Sequence, residues 1–239
     1  MTRSISVILP CLNEELGLRA TYEGARDAAE RHFKRFEILI VNDGSDDATG
    51  SIADAIAAAD KRVRVFHNPT NHGYGYSCWQ GADSARMAHI VAIPSDNEIE
   101  PASVDALFQA VGSADLVLAY PSNQRVRPRG RRVLSWAFTA TMNAVTGHRL
   151  RYYNGPVVYK REHLPQVGRS TDGFAWQAAA VAKLVRSGCS FAHVGIRLRP
   201  MPGRRSKAFR PRVIAGVVGQ VLRLAYDFRM RPGGSRPSG

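Results

Sequence analysis

Apolar residues in the first 120 positions follow two rhythms that take turns along the chain. Short unbroken runs at Ile5 to Leu9, Phe36 to Val41 and His89 to Ile93 have the length and the Ile/Val/Leu content of strands buried on both faces. A weaker alternating run, Val63 to Phe66, reads as a further strand, and Ala114 to Tyr120 as a fifth. Between them the spacing turns helical, over about residues 14–33, over 46–59 behind the acids Asp46 and Asp47, up to about Ala85, and from Pro101. Strand and helix in strict alternation predict βαβ units, and so an α/β fold with a mostly parallel sheet.

The rhythm changes after Tyr120. A Pro/Arg-rich loop at 121–130 leads into a basic amphipathic helix at 131–146, then a short strand at 155–160 and a helix at 174–187. A strand at 191–199, a basic loop at 200–211 and an apolar helix at 213–227 complete the pattern, and 233–239 has the composition of a disordered tail.

Charge sharpens this division. The 239-residue chain carries a net charge of +13, but residues 1–120 hold 10 Lys/Arg against 17 Asp/Glu, whereas residues 121–239 hold 23 against 3. An acidic amino half suits a metal and a nucleotide; a carboxyl half of net +20 expects an anionic partner. Nucleic acid, an anionic bilayer and a phosphorylated substrate all answer to that description. The absence of aromatic–basic interleaving and of a nucleic-acid-binding motif argues against the first. Cys11, Cys78 and Cys189 share no metal-ligand spacing and are odd in number, which suits a reduced, cytoplasmic setting. Ser4 to Leu9 is too short for a signal peptide and runs into Pro10. No stretch reaches the roughly 20 apolar residues that span a bilayer.

In parallel sheets, ligands bind at the carboxyl ends of the strands. Two apolar runs here end in an acid at a small-residue turn, Val41-Asn42-Asp43-Gly44-Ser45 and Pro94-Ser95-Asp96-Asn97-Glu98. With Pro10-Cys11-Leu12-Asn13-Glu14 before the first and the Asn71/Gly73/Gly75 loop between them, these motifs occur in a characteristic order. The succession resembles the family-2 GT-A glycosyltransferases, most closely their polyprenyl-phosphate (dolichyl-phosphate mannose synthase-like) branch, over roughly residues 4–210. The resemblance implies a GT-A (Rossmann-like) domain, with 1–120 as nucleotide and metal half, 121–210 as acceptor half, and a basic helical extension at 211–232.

It also implies residue roles. Pro10, Leu12, Asn13, Glu14, Asp43 and Ser95 would bind the nucleotide of a GDP- or UDP-sugar donor, and Arg204 and Lys207, beside Ser206, would close over it. Asp96 and Glu98 would hold Mg²⁺ or Mn²⁺, hard cations that favour oxygen ligands. The family's metal turn usually opens with an acid two residues before Asp96, where this chain has Pro94. Proline cannot ligate, so Asp96 and Glu98 must serve with diphosphate and water. Bland alternatives stay open: an acid near a helix N-terminus for Asp96, a plain Asp-Gly turn for Asp43, and a flexible connection for the glycines.

Arg125, Arg127, Arg131, Arg132 and Ser135 match the stretch thought to grip the acceptor phosphate in that branch, and the arginine fork suits phosphate oxygens. The alternative is a solvated basic helix face. The helix at 174–187 lacks an obvious general base, Asp172 being the only acid nearby; a phosphate acceptor is already ionised and needs none. The expectation is therefore an inverting, metal-dependent transferase in which Asp96, Arg131 and Ser135 carry catalysis. Its acceptor would be a polyprenyl phosphate, met peripherally at the inner face of the cell membrane, with anionic head groups against the basic half. Rival readings are transfer to a hydroxyl with Asp172 as base, a nucleic-acid binder, and an inactive donor-binding relative. Tyr152, Tyr153, Phe174 and Trp176 are expected to pack in the core.

Overall fold

A computed structural model describes residues 3–168, 176–201 and 211–230. Among the described residues, seven strands form one sheet in the order β3-β2-β1-β4-β6-β5-β7. They are β1 Ser4–Cys11, β2 Arg35–Asn42, β3 Val63–His67, β4 His89–Ala92, β5 Leu116–Pro121, β6 Val157–Lys160 and β7 Phe191–Ile196. β1 pairs in parallel with β2 and β4, β2 with β3, and β5 with β7. Only β6 runs against its neighbours, β4 and β5.

The unbroken apolar runs are explained by cover on both faces. Ile5, Val7 and Leu9 point to a core shared with Leu18, Tyr22 and Ala25 of α1 (Leu18–His32) and Leu107 and Phe108 of α4 (Pro101–Gln109). α2 (Thr49–Ala59) joins the same layer through Ala53 and Ile56. Ile8, Leu39 and Val41 point the other way, onto Cys78 and Trp79 of α3 (Tyr74–Ser84) and Val181 and Leu184 of α7 (Trp176–Arg186). Successive strand residues alternate between faces, so a strand covered on both sides must be apolar throughout.

Element boundaries differ from the sequence reading where turn chemistry decides. Glu14 to Gly17 form a turn, closed by the amides of Gly17 and Leu18 on the Glu14 carbonyl at 3.0 and 2.9 Å, and α1 starts only at Leu18. β7 ends at Ile196, three residues short of expectation. A short helix, α6 (Leu164–Val167), follows a single helical turn after β6 and was not expected.

The antiparallel β6 has the largest consequence. β5 runs in the same direction as β4, because both oppose β6. The chain therefore leaves β5 at the rim where β1, β2 and β4 also end, and β6 starts at that rim. α5 (Arg129–Thr146) lies between them in sequence, so it begins and ends at one lip of the sheet. Met142 is its only buried residue, and α8 (Pro211–Met230) packs against it.

Candidate active site

At the rim where β1, β2 and β4 end, two acid-bearing turns flank the end of β1. Asp43 follows β2, and its amide donates to the Cys11 carbonyl at 2.9 Å, which ties it to the end of β1. Asp96 follows β4 on the other side of β1. Ser95, 2% exposed, donates its hydroxyl to the Pro10 carbonyl at 3.0 Å and so joins the β4 turn to β1. The two acids that sequence placed at one lip share that lip, with β1 between them.

The turns after β1 and β4 each use asparagine in the left-handed region, Asn13 at φ 56° and Asn97 at φ 55°. Asparagine tolerates this conformation better than other non-glycine residues, and such positions gather at functional sites. Asn13 also accepts the Asp46 amide on its side chain at 2.9 Å, while its own amide donates to the Ser45 hydroxyl at 3.0 Å. The Glu14 amide donates to the Thr49 hydroxyl at 2.8 Å. The 10–14 and 42–49 turns are thus stitched into one wall, and Leu12 in the first of them is half-buried.

Asp43 is 3% exposed and holds a loop in place. Its oxygens accept from the Asn68 side chain at 2.9 Å, the His72 amide at 3.1 Å and the Gly73 amide at 2.8 Å. Gly73 sits at φ 106°, a conformation that favours glycine, and leads directly into α3. A carboxylate has room for about four donors; three places are filled from within, which leaves about one for a ligand. The Cys11 thiol beside this wall is pushed up to about 12 by burial first and then by the carboxylates of Glu14, Asp47 and Asp43. That neighbourhood is electronegative.

The β4 turn is packed from behind by Gly17. A Cβ there would stand 2.6 Å from the Ser95 carbonyl oxygen and 2.9 Å from the Asp96 Cα. Within the turn, the Glu98 amide donates to Asp96 Oδ1 at 3.0 Å, and the Asn97 amide ties the turn to α1 by donating to the Thr21 hydroxyl at 3.0 Å. From the far side, the Arg199 amide donates to the Glu98 carbonyl at 2.7 Å, and Ile99 bridges to Leu198. Arg204 and Lys207 lie outside the described residues, as does Asp172.

The arginines reach the acids. Arg127 embraces Glu98 with Nε at 3.0 Å and Nη2 at 2.9 Å from Oε1, and with Nη2 at 3.0 Å from Oε2. Both side chains are largely buried, 12% and 14% exposed. Arg127 Nη1 donates to the Tyr152 hydroxyl at 3.1 Å. Burial works against the Arg127 charge, but Tyr152 and Glu98 outweigh it and raise its pKa. Arg131 stands 3.9 Å from the same Glu98 oxygen. Ser135 lies one helical turn further along α5 and half-buried, on the same side as Arg131. Arg125 is exposed, on the short turn before α5. Two residues that sequence assigned to different partners, Glu98 to a cation and Arg127 to a phosphate, are therefore each other's partner in the protein without ligands. Tyr152 packs in the core as expected, yet its hydroxyl orients Arg127, a role with no sequence signal.

The donor set fits a dication in one way. Among the described residues no group of three or more His, Cys, Asp or Glu side chains could hold a metal. Asp96 and Glu98 offer two carboxylates on one turn. Mg²⁺ characteristically binds one or two carboxylates and completes its shell with substrate phosphates and water. A shared site of that kind suits these residues; a protein-only site does not.

Comparison with known proteins agrees with this architecture. The model of the family "Glycosyl transferase family 2" matches residues 6–168. Glycosyltransferase AglD of Haloferax volcanii is 26% identical over 238 residues, 95% of this chain and 38% of that protein. Undecaprenyl-phosphate mannosyltransferase of Micrococcus luteus is 32% identical over 145 residues, 56% of each chain. A prophage bactoprenol glucosyl transferase homolog of Escherichia coli is 29% identical, over 61% of this chain and 48% of its own. The chain thus spans about 38% to 56% of the length of these relatives. Among solved structures, glucosyl-3-phosphoglycerate synthase from Mycobacterium tuberculosis with uridine diphosphate superposes with a TM-score of 0.72 at 21% identity, covering 94% of this chain and 80% of that one. The fold is that of the GT-A glycosyltransferases.

Proposed function

The chain belongs to glycosyl transferase family 2, and on that premise we propose that it moves a sugar, with inversion, from a nucleotide diphosphate-sugar to a polyprenyl phosphate. The observation that carries this reading is the meeting, at one rim, of the acid turn with the arginines just before and at the start of α5, Arg127 against Glu98 at 2.9 Å and Arg131 at 3.9 Å. The wall formed by Pro10, Leu12, Asn13, Glu14, Asp43 and Ser95 receives the nucleotide. Asp96 and Glu98 hold Mg²⁺ or Mn²⁺ together with the donor diphosphate. Arg125, Arg127, Arg131 and Ser135 orient the acceptor phosphate, and Arg204 and Lys207 lie in the segment assigned to donor closure.

When bound, the cation neutralises the charge that gathers on the departing diphosphate. An acceptor phosphate oxygen forms the new bond to the anomeric carbon while the bond from that carbon to the donor phosphate oxygen breaks, its electron pair leaving with the diphosphate. No proton has to be taken from an ionised phosphate. The work of the protein is then positioning and preorganised charge. The start of α5 supports the acceptor assignment. Its N-cap is Pro128, no side chain caps it, and its first turn contains no acid. Arg129, Arg131 and Arg132 crowd the end of a helix where the dipole disfavours cations and favours an anion.

The relatives named for undecaprenyl phosphate and bactoprenol support the lipid acceptor. Radiolabelled UDP- or GDP-sugars supplied with polyprenyl phosphate should give label that partitions into organic solvent. Label that enters only water-soluble hydroxyl acceptors would overturn the lipid assignment.

A lipid substrate implies contact with the membrane at its inner, cytoplasmic face. No helix among the described residues is long and apolar enough to cross a bilayer. On α5, Val133 and Trp136 are 65% and 72% exposed; on α8, Val218, Leu222 and Tyr226 are 52%, 65% and 64% exposed. Arginines accompany both stripes, the pattern of an interfacial helix. Burying one such side chain is worth about 1.5–3 kcal/mol, so Trp136→Ser with Leu222→Ser should weaken binding to anionic vesicles by at least about a hundredfold. Sedimentation of the double variant with vesicles at wild-type levels would rule this contact out.

A further inference from the structure

We propose that Glu98 and Arg127 form an exchange pair through which the donor–metal complex and the acceptor phosphate promote each other's binding. The proposal rests on the functional reading above, which gives Glu98 to the cation and Arg127 to the acceptor.

The pair is arranged so that neither member is available while the other is unoccupied. Both Glu98 oxygens accept from Arg127, and three of the four hydrogen bonds of the Arg127 guanidinium go to Glu98. The fourth goes to the Tyr152 hydroxyl. Because the two side chains are 12% and 14% exposed, separating them does not simply return each to water. An uncompensated charge in such a place is costly.

Four states follow. Without ligands, Glu98 and Arg127 satisfy one another. With only the metal–diphosphate bound, Glu98 turns to the cation and leaves Arg127 short of a partner. With only the acceptor bound, Arg127 turns to phosphate and leaves a buried carboxylate. With both bound, each charge again has its partner. The two singly occupied states carry the orphan charges, so each ligand removes the cost of admitting the other. By linkage, the two effects on affinity are equal. The Tyr152 bond is made by Nη1, which takes no part in the grip on Glu98, so it can keep the freed guanidinium at the rim. Arg131, 3.9 Å from Glu98 Oε1 and 33% exposed, is placed to follow Arg127 onto the phosphate.

The test is calorimetric titration of the full chain with UDP and with GDP in the presence of Mn²⁺, with and without saturating geranyl monophosphate as a soluble acceptor. For whichever nucleotide binds, the acceptor should tighten it about 5–50-fold, and the nucleotide with Mn²⁺ should tighten geranyl phosphate by the same factor. In Arg127→Met the factor should fall to about 1, and nucleotide with Mn²⁺ alone should bind more tightly than in wild type, because Glu98 is released. Glu98→Gln should likewise abolish the coupling, and it keeps an oxygen for Arg127 should the methionine variant fail to fold. Equal nucleotide affinities with and without geranyl phosphate in wild type would overturn the exchange and leave the functional reading standing. Coupling that persists undiminished in either variant would assign it to direct attraction between phosphate and cation, and overturn it too. Failure of both nucleotides to bind would remove the functional reading, and the exchange with it.

Discussion

Asp96→Asn is expected to lower kcat by about 10²–10³-fold while the protein melts within a few degrees of wild type. Asp96 lies in the turn after β4, and its Oδ1 accepts the Glu98 amide at 3.0 Å. Asparagine keeps that acceptor and the shape of the turn, so the turn should survive. What it loses is the negative charge that, with Glu98, would anchor a cation against the leaving diphosphate. Removing one preorganised electrostatic element of this kind costs about 2.7–4 kcal/mol of transition-state stabilisation. Turnover measured at saturating donor and Mn²⁺, beside a thermal melt, separates the two effects. Activity within threefold of wild type would remove Asp96 from the chemistry.

The second large effect is expected in stability. In Asp43→Ala, the Asn68 side chain and the amides of His72 and Gly73 lose a buried acceptor that they meet at 2.8–3.1 Å. Each buried donor left unsatisfied costs about 1–3 kcal/mol, partly offset where water enters the opened loop. A net loss of about 3–5 kcal/mol would make this one of the severe single substitutions, with Tm lower by roughly 6–20 °C. Denaturant unfolding supplies the number. A loss below about 1 kcal/mol would show that the 68–73 loop is held by something other than Asp43.

These two acids illustrate what the sequence disclosed and what it did not. β1, β2 and β4 were legible because a strand covered on both faces has to be apolar throughout, and Ile5–Leu9, Phe36–Val41 and His89–Ile93 are. The position of Asp43 and Asp96 at one lip followed from parallel pairing, which is present on both sides of β1. The direction of β6 did not follow. Four residues of strand contain no mark of orientation, yet that orientation brings both ends of α5 to the rim and sets Arg127 beside Glu98. The pair spans 29 positions in sequence, and nothing in the local pattern links them. The same holds for Tyr152, whose aromatic ring made it a core residue and whose hydroxyl also serves Arg127. The start of α1 shifted because Glu14 to Gly17 spend their hydrogen bonds on a turn, a choice set by contacts with Ser45, Asp47 and Thr49 and not by helical periodicity. Pro94, which stood out as a departure from the family pattern, lies just past the end of β4 at Ala92.

The most direct trial of the whole account is a titration of UDP and GDP into wild type and into Asp96→Asn, each with Mn²⁺ and with chelator. A rim at which carboxylates share a cation with the donor diphosphate predicts that Mn²⁺ strengthens nucleotide binding at least tenfold in wild type and does little in the variant. Nucleotide affinity that ignores the cation, or that responds to it equally in both proteins, would contradict it.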